Sequence, residues 1–392
     1  MLHKTLTKSL IAGAVLSGLA FNAQAAEGPE WSFGGYIKLD AMMSDYSDGS
    51  AGSGSDKNIG RQFYIPSLTP VGGRGDDAVT DFHARQSRFW FDVKQGLENG
   101  ETITGRIEID FLTVPSGDER ISNSYAPRLR HAFLKYKNWT IGHTWSNFLD
   151  LSVFPESVDF LGAADGIVFM RQPQVRYTQG NLSFSLENPE TTVSLVSGTG
   201  AVSRLATSEG IMPDLTMKYT GKSDNFSYSV AGLVRQLAHD IDSDGDDETV
   251  AGYGVTFGAK YSLGNGNDIR ASFTAGSGVG RYMGLNTFNG AYIASDGSLE
   301  ALDVMGVTLA YRHNWNEKTR SNFVFSRGWA DNTDNLETSS ATDYTQRFGV
   351  NVMHSVDKRL TFGAEISRAT RETANNLDGG LTRLQFMAMY SF

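Results

Sequence analysis

The sequence predicts an all-β protein, a transmembrane antiparallel β-barrel of about sixteen strands. Three observations carry this prediction: segments in which apolar and polar residues alternate, connections that are alternately short and long, and an N-terminal export signal. Alternation indicates strands with one apolar and one polar face. When the apolar face meets lipid, an average of hydropathy along the chain does not reveal the membrane segments.

Residues 1–25 have the organisation of a secretory signal peptide. Two lysines come first, an apolar stretch continues to Phe21, and Ala23-Gln24-Ala25 has the small residues of a cleavage site. The alternative is a transmembrane anchor, but the stretch is too short to cross about 30 Å of hydrocarbon as a helix. We expect a signal peptide at 1–25, a short lead at 26–33 and the barrel at 34–392.

The composition excludes several classes of partner and site. The formal charge is −10, and removing the two lysines of residues 1–25, which contain no acid, makes it −12. This acidic balance argues against a nucleic-acid partner. There is no cysteine, so an exported chain must be held together by burial and hydrogen bonding without disulfides. We expect no cofactor, no metal site and no catalytic residues.

Alternation predicts the sixteen strands in chain order, and the fifth has the weakest pattern. The strands are expected near 34–43, 80–95, 101–113, 127–137, 139–145, 171–178, 181–189, 212–220, 225–236, 249–262, 267–277, 301–315, 318–329, 343–356, 358–371 and 380–392.

Connection lengths predict the orientation of the barrel. Short turns such as QGLENG, TGKSDN and LGNGN alternate with long loops, the third of which spans 146–170. Short periplasmic turns and long external loops are typical of bacterial outer-membrane barrels. We therefore expect the outer membrane as the location, with lipid and lipopolysaccharide around the barrel.

The chain ends on an alternating strand, RLQFMAMYSF, in which Phe386, Tyr390 and Phe392 share one parity. We expect this strand to pair with the first one, GYIKLDAM, and so to close the barrel. Its terminal Phe392 also resembles the signal that the outer-membrane barrel assembly machinery recognises, which makes that machinery an expected partner. The alternative is an ordinary buried last strand.

Strand parity predicts a lumen lined by arginines. In GRIEIDFL the isoleucines face lipid and Arg106 faces inward, and the same rule turns Arg88 and Arg176 inward. Arg85 is out of phase with Arg88, so it needs a bulge or lies above the membrane. The predicted pore-lining residues are Arg85, Arg88, Arg106, Arg130, Arg171 and Arg176. Alternatively, these arginines only neutralise Asp92, Glu108 and Asp110 in the wall.

The loop 146–170 contains more apolar residues than a loop in open water tolerates, among them Phe148, Val153 and Phe160. We expect it to fold into the pore and to form the constriction, with Asp150, Glu156 and Asp159 facing the basic wall. The alternative is a loop packed at a subunit interface.

A series of motifs resembles the DcaP-like outer-membrane porins of Gram-negative bacteria. The motifs are GYIKLDAM, RQFYIPSLTPVGG, TDFHARQSRFWFDV, LRHAFLKY, GHTWSNFLD, FPESVDFLG and RQPQVRYT. The match is dense over residues 34–178 and rests on strand pattern beyond. The resemblance implies a sixteen-stranded homotrimeric porin for small anionic solutes, with dicarboxylates and aromatic dicarboxylates as typical substrates. It also implies that Arg85, Arg88, Arg130, Arg171 and Arg176 line the constriction.

The function predicted from all this is passive diffusion of small anions across the outer membrane. An outer-membrane barrel enzyme is one alternative, but His83, His131 and His143 show no triad spacing with Ser87. A secreted soluble β-protein that binds a ligand is another.

DIDSDGDDETVA at 240–251 begins like a calcium loop but has Ala251 where the loop needs Glu. A solvated acidic external loop is the preferred interpretation, with calcium as the alternative.

Overall fold

The computed structural model describes residues 28–49, 59–113, 122–240 and 248–392. The predicted signal peptide at 1–25 lies outside these residues, as does most of the acidic 240–248 segment. Within them the chain forms a closed antiparallel barrel of sixteen strand positions, which confirms the predicted fold. No helix in these ranges has the length and apolarity needed to cross a membrane.

Seventeen strands occupy the sixteen positions, because β2 and β3 share one. They are β1 (Glu30–Tyr46), β2 (Val79–His83), β3 (Arg88–Gly96), β4 (Thr102–Asp110), β5 (Arg128–Tyr136), β6 (Trp139–Trp145), β7 (Arg171–Gln179), β8 (Leu182–Glu187), β11 (Asp214–Lys222), β12 (Phe226–His239), β13 (Glu248–Gly264), β14 (Asn267–Ser277), β17 (Asp303–Asn314), β18 (Thr319–Ala330), β19 (Thr342–Ser355), β20 (Leu360–Thr373) and β21 (Asp378–Ser391).

The long loops carry a second, four-stranded sheet that the sequence analysis did not predict. Its strands are β9 (Thr191–Val196), β10 (Val202–Thr207), β15 (Ala291–Ile293) and β16 (Leu299–Ala301). The helices are short: α1 (Ile59–Gln62) and the 3₁₀ turns Pro66–Leu68, Leu151–Val153, Gly280–Tyr282 and Asp334–Leu336.

The second barrel position is interrupted between β2 and β3. β1 pairs with β2 from Ser44 opposite Val79 and with β3 from Tyr36 opposite Arg88. Between the two strands, Ser87 N donates to Ala84 O at 3.0 Å, which closes a turn. Arg85 lies in this turn, and the interruption accounts for its being out of phase with Arg88.

The barrel closes where the sequence analysis expected. β21 pairs with β1 from Ser391 opposite Tyr36 to Leu381 opposite Tyr46. Beyond the strand, Phe392 N donates to Gly35 O at 3.1 Å and Gly35 N donates to Phe392 O at 3.3 Å. The Phe392 ring lies 5.4 Å from that of Phe33. The seam between the first and last strands is thus continuous and ends in an aromatic cluster.

The buried core lies in the lumen, where loop 146–170 folds inward as predicted. Phe148 and Val158 are fully buried, and Val158 packs against Met353 and Met387 of the opposite barrel wall. A side chain of this loop therefore reaches across the barrel interior.

A second loop, 278–300, also folds inward, which the sequence analysis did not predict. Phe169 N donates to Tyr282 O and Gly284 N donates to Ile167 O, each at 2.9 Å, so the two loops are bonded to each other. Tyr282 and Met283 are fully buried in the largest apolar cluster. The lumen is consequently narrowed by two joined loops.

Candidate functional site in the lumen

The inward faces of β3–β7, here called the near wall, carry four arginines that share three carboxylates. Arg106 binds Asp92 through Nε at 2.7 Å and Nη2 at 2.8 Å. Arg130 donates to Glu108 and to Asp110, both at 2.8 Å. Arg88 lies 3.4 Å from Glu108, and Arg128 binds both oxygens of Asp110 at 2.8 Å. Their positive charge is largely neutralised inside the wall, as the alternative interpretation held.

A bulge in β5 makes this sharing possible. Leu129 lies opposite Ile109 and His131 lies opposite Glu108, so Arg130 is an extra residue between them. The bulge turns Arg130 onto the same face as its neighbours and aims it between the two acids. Arg130 is 2 % exposed, which makes it a structural member of the wall.

Arg171 and Arg176 differ from these four, since neither forms an ion pair with any described residue. Arg176 donates through Nε to Gln174 Oε1 at 2.9 Å and through Nη2 to the Trp145 carbonyl. Arg171 begins β7, and its guanidinium lies 4.8 Å from the Trp145 ring centroid with a buried Nη1 that lacks a hydrogen-bond partner. Neutral acceptors and an aromatic face orient these cations without cancelling their charge.

Arg176 and Arg106 line a cavity of about 560 Å³, here called the near-wall cavity. Lys135, Lys218 and His131 also line it, and Asp150 is the one carboxylate among its described lining residues. The Lys218 ammonium donates to the Leu149 carbonyl at 3.0 Å, which is a neutral acceptor. The sequence analysis missed the two lysines and His131 as lining residues. Strand parity in DLTMKYT, where Leu215, Met217 and Tyr219 face outward, would have identified Lys218.

The remaining predicted arginine, Arg85, is not among the residues that line this cavity. It is 4 % exposed, and its guanidinium lies 4.2 Å from the Tyr125 ring centroid. The turn between β2 and β3 therefore holds it against an aromatic face.

Of the three acids of loop 146–170, Asp150 lines the near-wall cavity. Glu156 and Asp159 do not face the near wall, so for these two residues the prediction is wrong. Glu156 pairs with Arg320 of β18, and Asp159 lies 3.7 Å from Arg347 of β19. Asp150 accepts from Ser229 Oγ at 2.6 Å. The partners of all three acids thus belong to strands that are distant in the sequence.

Another part of the lumen wall, formed by the inward faces of β1 and β18–β20, is here called the far wall. Its side chains hold the backbone of loop 146–170. Lys38 donates to Val158 O and Arg347 donates to Gly162 O, both at 2.6 Å. Ser326 accepts from Gly166 N at 2.8 Å and donates to Ala163 O at 3.0 Å. Because a buried backbone group without a partner is costly, the far wall stabilises the loop in its inward position.

The whole described barrel matches a known family and its structures. The sequence model of the DcaP outer membrane protein family matches residues 29–392. The crystal structure of the outer membrane channel DcaP of Acinetobacter baumannii is 25% identical, covers 93% of this chain and 98% of its own, and superposes with a TM-score of 0.73. The comparison with curated proteins found no match.

More distant porins share the fold alone. The anion-selective porin from Comamonas acidovorans is 9% identical, with coverage of 93% and 100% and a TM-score of 0.56. The trimer form of in-vitro folded OmpT of Vibrio cholerae is 10% identical, with coverage of 93% and 100% and a TM-score of 0.54. These matches agree with a porin-type barrel of the same general size.

Proposed function

This chain belongs to the DcaP outer membrane protein family, and on this premise we propose that it is a passive channel that favours small anions. Its location is the bacterial outer membrane, as predicted. The observation that carries the anion preference is the near-wall cavity, where Arg176 and Lys218 are bound to neutral acceptors. The similar protein from Acinetobacter baumannii is described as an outer membrane channel, which supports the passive mechanism.

The proposed anion preference is electrostatic in origin. A unit charge 4 Å from an anion contributes about 1 kcal/mol in water and about 4 kcal/mol at an effective dielectric constant of 20. A channel must also release its solute, so weak sites shared among several cations serve it better than one tight site. The planar guanidinium of Arg176 matches a carboxylate. Dicarboxylates are proposed as substrates because the family resemblance implies them.

Planar-bilayer recordings in a salt gradient test this proposal. We expect the reversal potential of an anion-preferring channel. Arg176→Gln and Lys218→Gln should each lower the anion-to-cation permeability ratio about two- to fivefold, since each removes a charge worth up to about 1 kcal/mol in water. Gln keeps a donor for the carbonyls that these residues bind, so the loop should stay in place.

Arg359→Gln and Lys222→Gln are matched controls, because both side chains are exposed at the short-turn end of the barrel. They remove the same charge outside the near-wall cavity and should leave the ratio unchanged. A cation-preferring channel, or equal effects of lumen and turn variants, would contradict the proposal. Hydrolysis of an ester or peptide without any conductance would instead favour the enzyme alternative.

The assembly partners remain proposals. We propose the homotrimer that the resemblance implies, and contacts with lipopolysaccharide and with the barrel assembly machinery. The mass of the detergent-solubilised protein, measured by light scattering with the detergent subtracted, distinguishes a trimer from a single barrel.

A further inference from the structure

A second cavity, of about 210 Å³, lies among the long loops and is here called the outer cavity. Arg204 of β10 and Arg371, near the end of β20, both line it. Phe288, which belongs to the second inward loop, and Leu302, which follows that loop, also line the outer cavity. Long loops are external in outer-membrane barrels, so the outer cavity lies at the external mouth of the lumen.

The two arginines of the outer cavity are held by neutral acceptors. Arg204 donates through Nε to Asn289 Oδ1 and through Nη2 to Asn286 O, both at 2.6 Å. Arg371 donates through Nε to Thr342 Oγ1 at 3.0 Å and through Nη1 to Thr69 O at 3.2 Å. Neither forms an ion pair within the described ranges. Among the described residues that line the cavity there is no carboxylate.

This arrangement is organised before any ligand arrives. Asn289, which binds Arg204, is itself fixed by a 2.7 Å hydrogen bond from Nδ2 to Ser194 Oγ. Hydroxyl groups of Ser67 and Ser203 line the same cavity and can donate to an anion. Two like charges beside one small cavity repel each other, and an anion between them relieves that repulsion. Oriented guanidinium groups also lose little freedom when they bind.

We propose that the outer cavity, between Arg204 and Arg371, is a binding site for small carboxylate anions at the external entrance of the barrel. The class of ligand rests on the proposed function, whereas the site itself is additional to the near-wall cavity. The two cavities are distinct, since they share no lining residue. The outer cavity would thus be available to a solute that enters from outside.

The absence of cysteine from the chain permits a direct test. Ser203→Cys introduces a single thiol into the outer cavity of the full-length protein in detergent. Its reaction rate is measured with a negatively and a positively charged methanethiosulfonate of similar size. We expect the anionic reagent to react faster, and succinate to slow the reaction while 1,4-diaminobutane does not.

Adding Arg204→Gln or Arg371→Gln to Ser203→Cys should lower the rate of the anionic reagent about fivefold, the effect of a charge worth about 1 kcal/mol. The ratio of anionic to cationic rates should fall by at least as much. Succinate protection should also weaken. Arg359→Gln, in an exposed short turn, is the control and should change none of these. Heat-modifiable migration on a gel reports whether each barrel is folded. If only one of the two arginine variants folds, that variant alone is sufficient for the test.

Equal rates for the two reagents, or no protection by succinate, would overturn the site. The thiol assay needs no current, so it is independent of the channel experiment. Protection in a channel without anion preference would refute the proposed function and retain the site. Anion preference without protection by succinate would refute the site and retain the proposed function.

Discussion

The near wall and the far wall of the lumen both carry arginines, but they use them differently. On the near wall, Arg176 is bound by neutral groups beside a cavity. On the far wall, Arg347 is 2 % exposed and binds Glu365, Asp159 and the backbone of loop 146–170. At Arg176 the near wall presents charge to the lumen, whereas at Arg347 the far wall uses charge to hold a loop.

The difference shows that an inward-facing arginine is not by itself a solute site. The chemistry of an arginine depends on the acceptors around it, because a carboxylate cancels its charge and a carbonyl does not. The contrast predicts that changes on the far wall act on stability first, and that changes on the near wall act on selectivity.

The largest effect is expected from Arg347→Met. Glu365, which accepts from Arg347 at 2.6 Å and is 4 % exposed, would lose its counter-charge in a buried position. Breaking a buried pair by removing one partner costs about 3–5 kcal/mol. Urea unfolding in lipid vesicles, followed by tryptophan fluorescence, measures the free energy of unfolding.

The double variant Arg347→Met with Glu365→Leu is the control for this prediction. It should recover part of the loss, because the buried Glu365 carboxylate is no longer left without its counter-charge. A single-variant loss below about 1 kcal/mol, the range of an exposed pair, would mean that the far wall does not anchor the loop.

An intermediate effect is expected from Glu156→Gln. This change should leave an arginine of the far wall without its carboxylate partner, as Arg176 is on the near wall. Glu156 is the ion-pair partner of both Arg312 and Arg320. Asn351 Nδ2 donates to the Glu156 backbone carbonyl at 2.9 Å, so the loop keeps an anchor. The anion-to-cation permeability ratio should rise about two- to fivefold.

Glu317→Gln, an exposed residue in a short turn, is the matched control for Glu156→Gln and should leave the ratio unchanged. An unchanged ratio with Glu156→Gln would show that the released arginines are not accessible to solute.

The smallest effect is expected from Asp92→Asn on the near wall. The Arg106 and Asp92 side chains are 37% and 32% exposed, so water already screens their pair. Exposed pairs are worth about 0.2–1 kcal/mol, so the permeability ratio should rise by less than about fivefold and stability should change little. Bilayer recordings with Glu98→Gln, in an exposed short turn, as the control measure this change. If Asp92→Asn lowered the free energy of unfolding as much as Arg347→Met, the near wall would also act on stability first, which contradicts the distinction between the two walls.

The strands could be predicted from the sequence because alternation is a local property. Even the weakest prediction, 139–145, has the bounds of β6. The break between β2 and β3 was visible only as the phase difference between Arg85 and Arg88. The bulge at Arg130 depends on the register with β4, which a single strand does not determine.

The inward loops were predictable in part. The inward position of loop 146–170 was predicted from its excess of apolar residues. The same criterion applied to 278–300 would have pointed to Tyr282, Met283 and Phe288. The partners of Asp150, Glu156 and Asp159 could not be predicted. They depend on where the loop meets strands that are more than a hundred residues away for Glu156 and Asp159, and composition does not encode that meeting point.

The seam between β1 and β21 has a consequence for biogenesis. Hydrogen bonds between Gly35 and Phe392 join the first and the last strand of the barrel. The barrel therefore cannot close until β21 has paired with β1. Every earlier intermediate exposes two unpaired edges, which are templates for wrong association. Maturation should therefore behave as a late, all-or-none event whose rate is set by the longest-range pairing in the molecule.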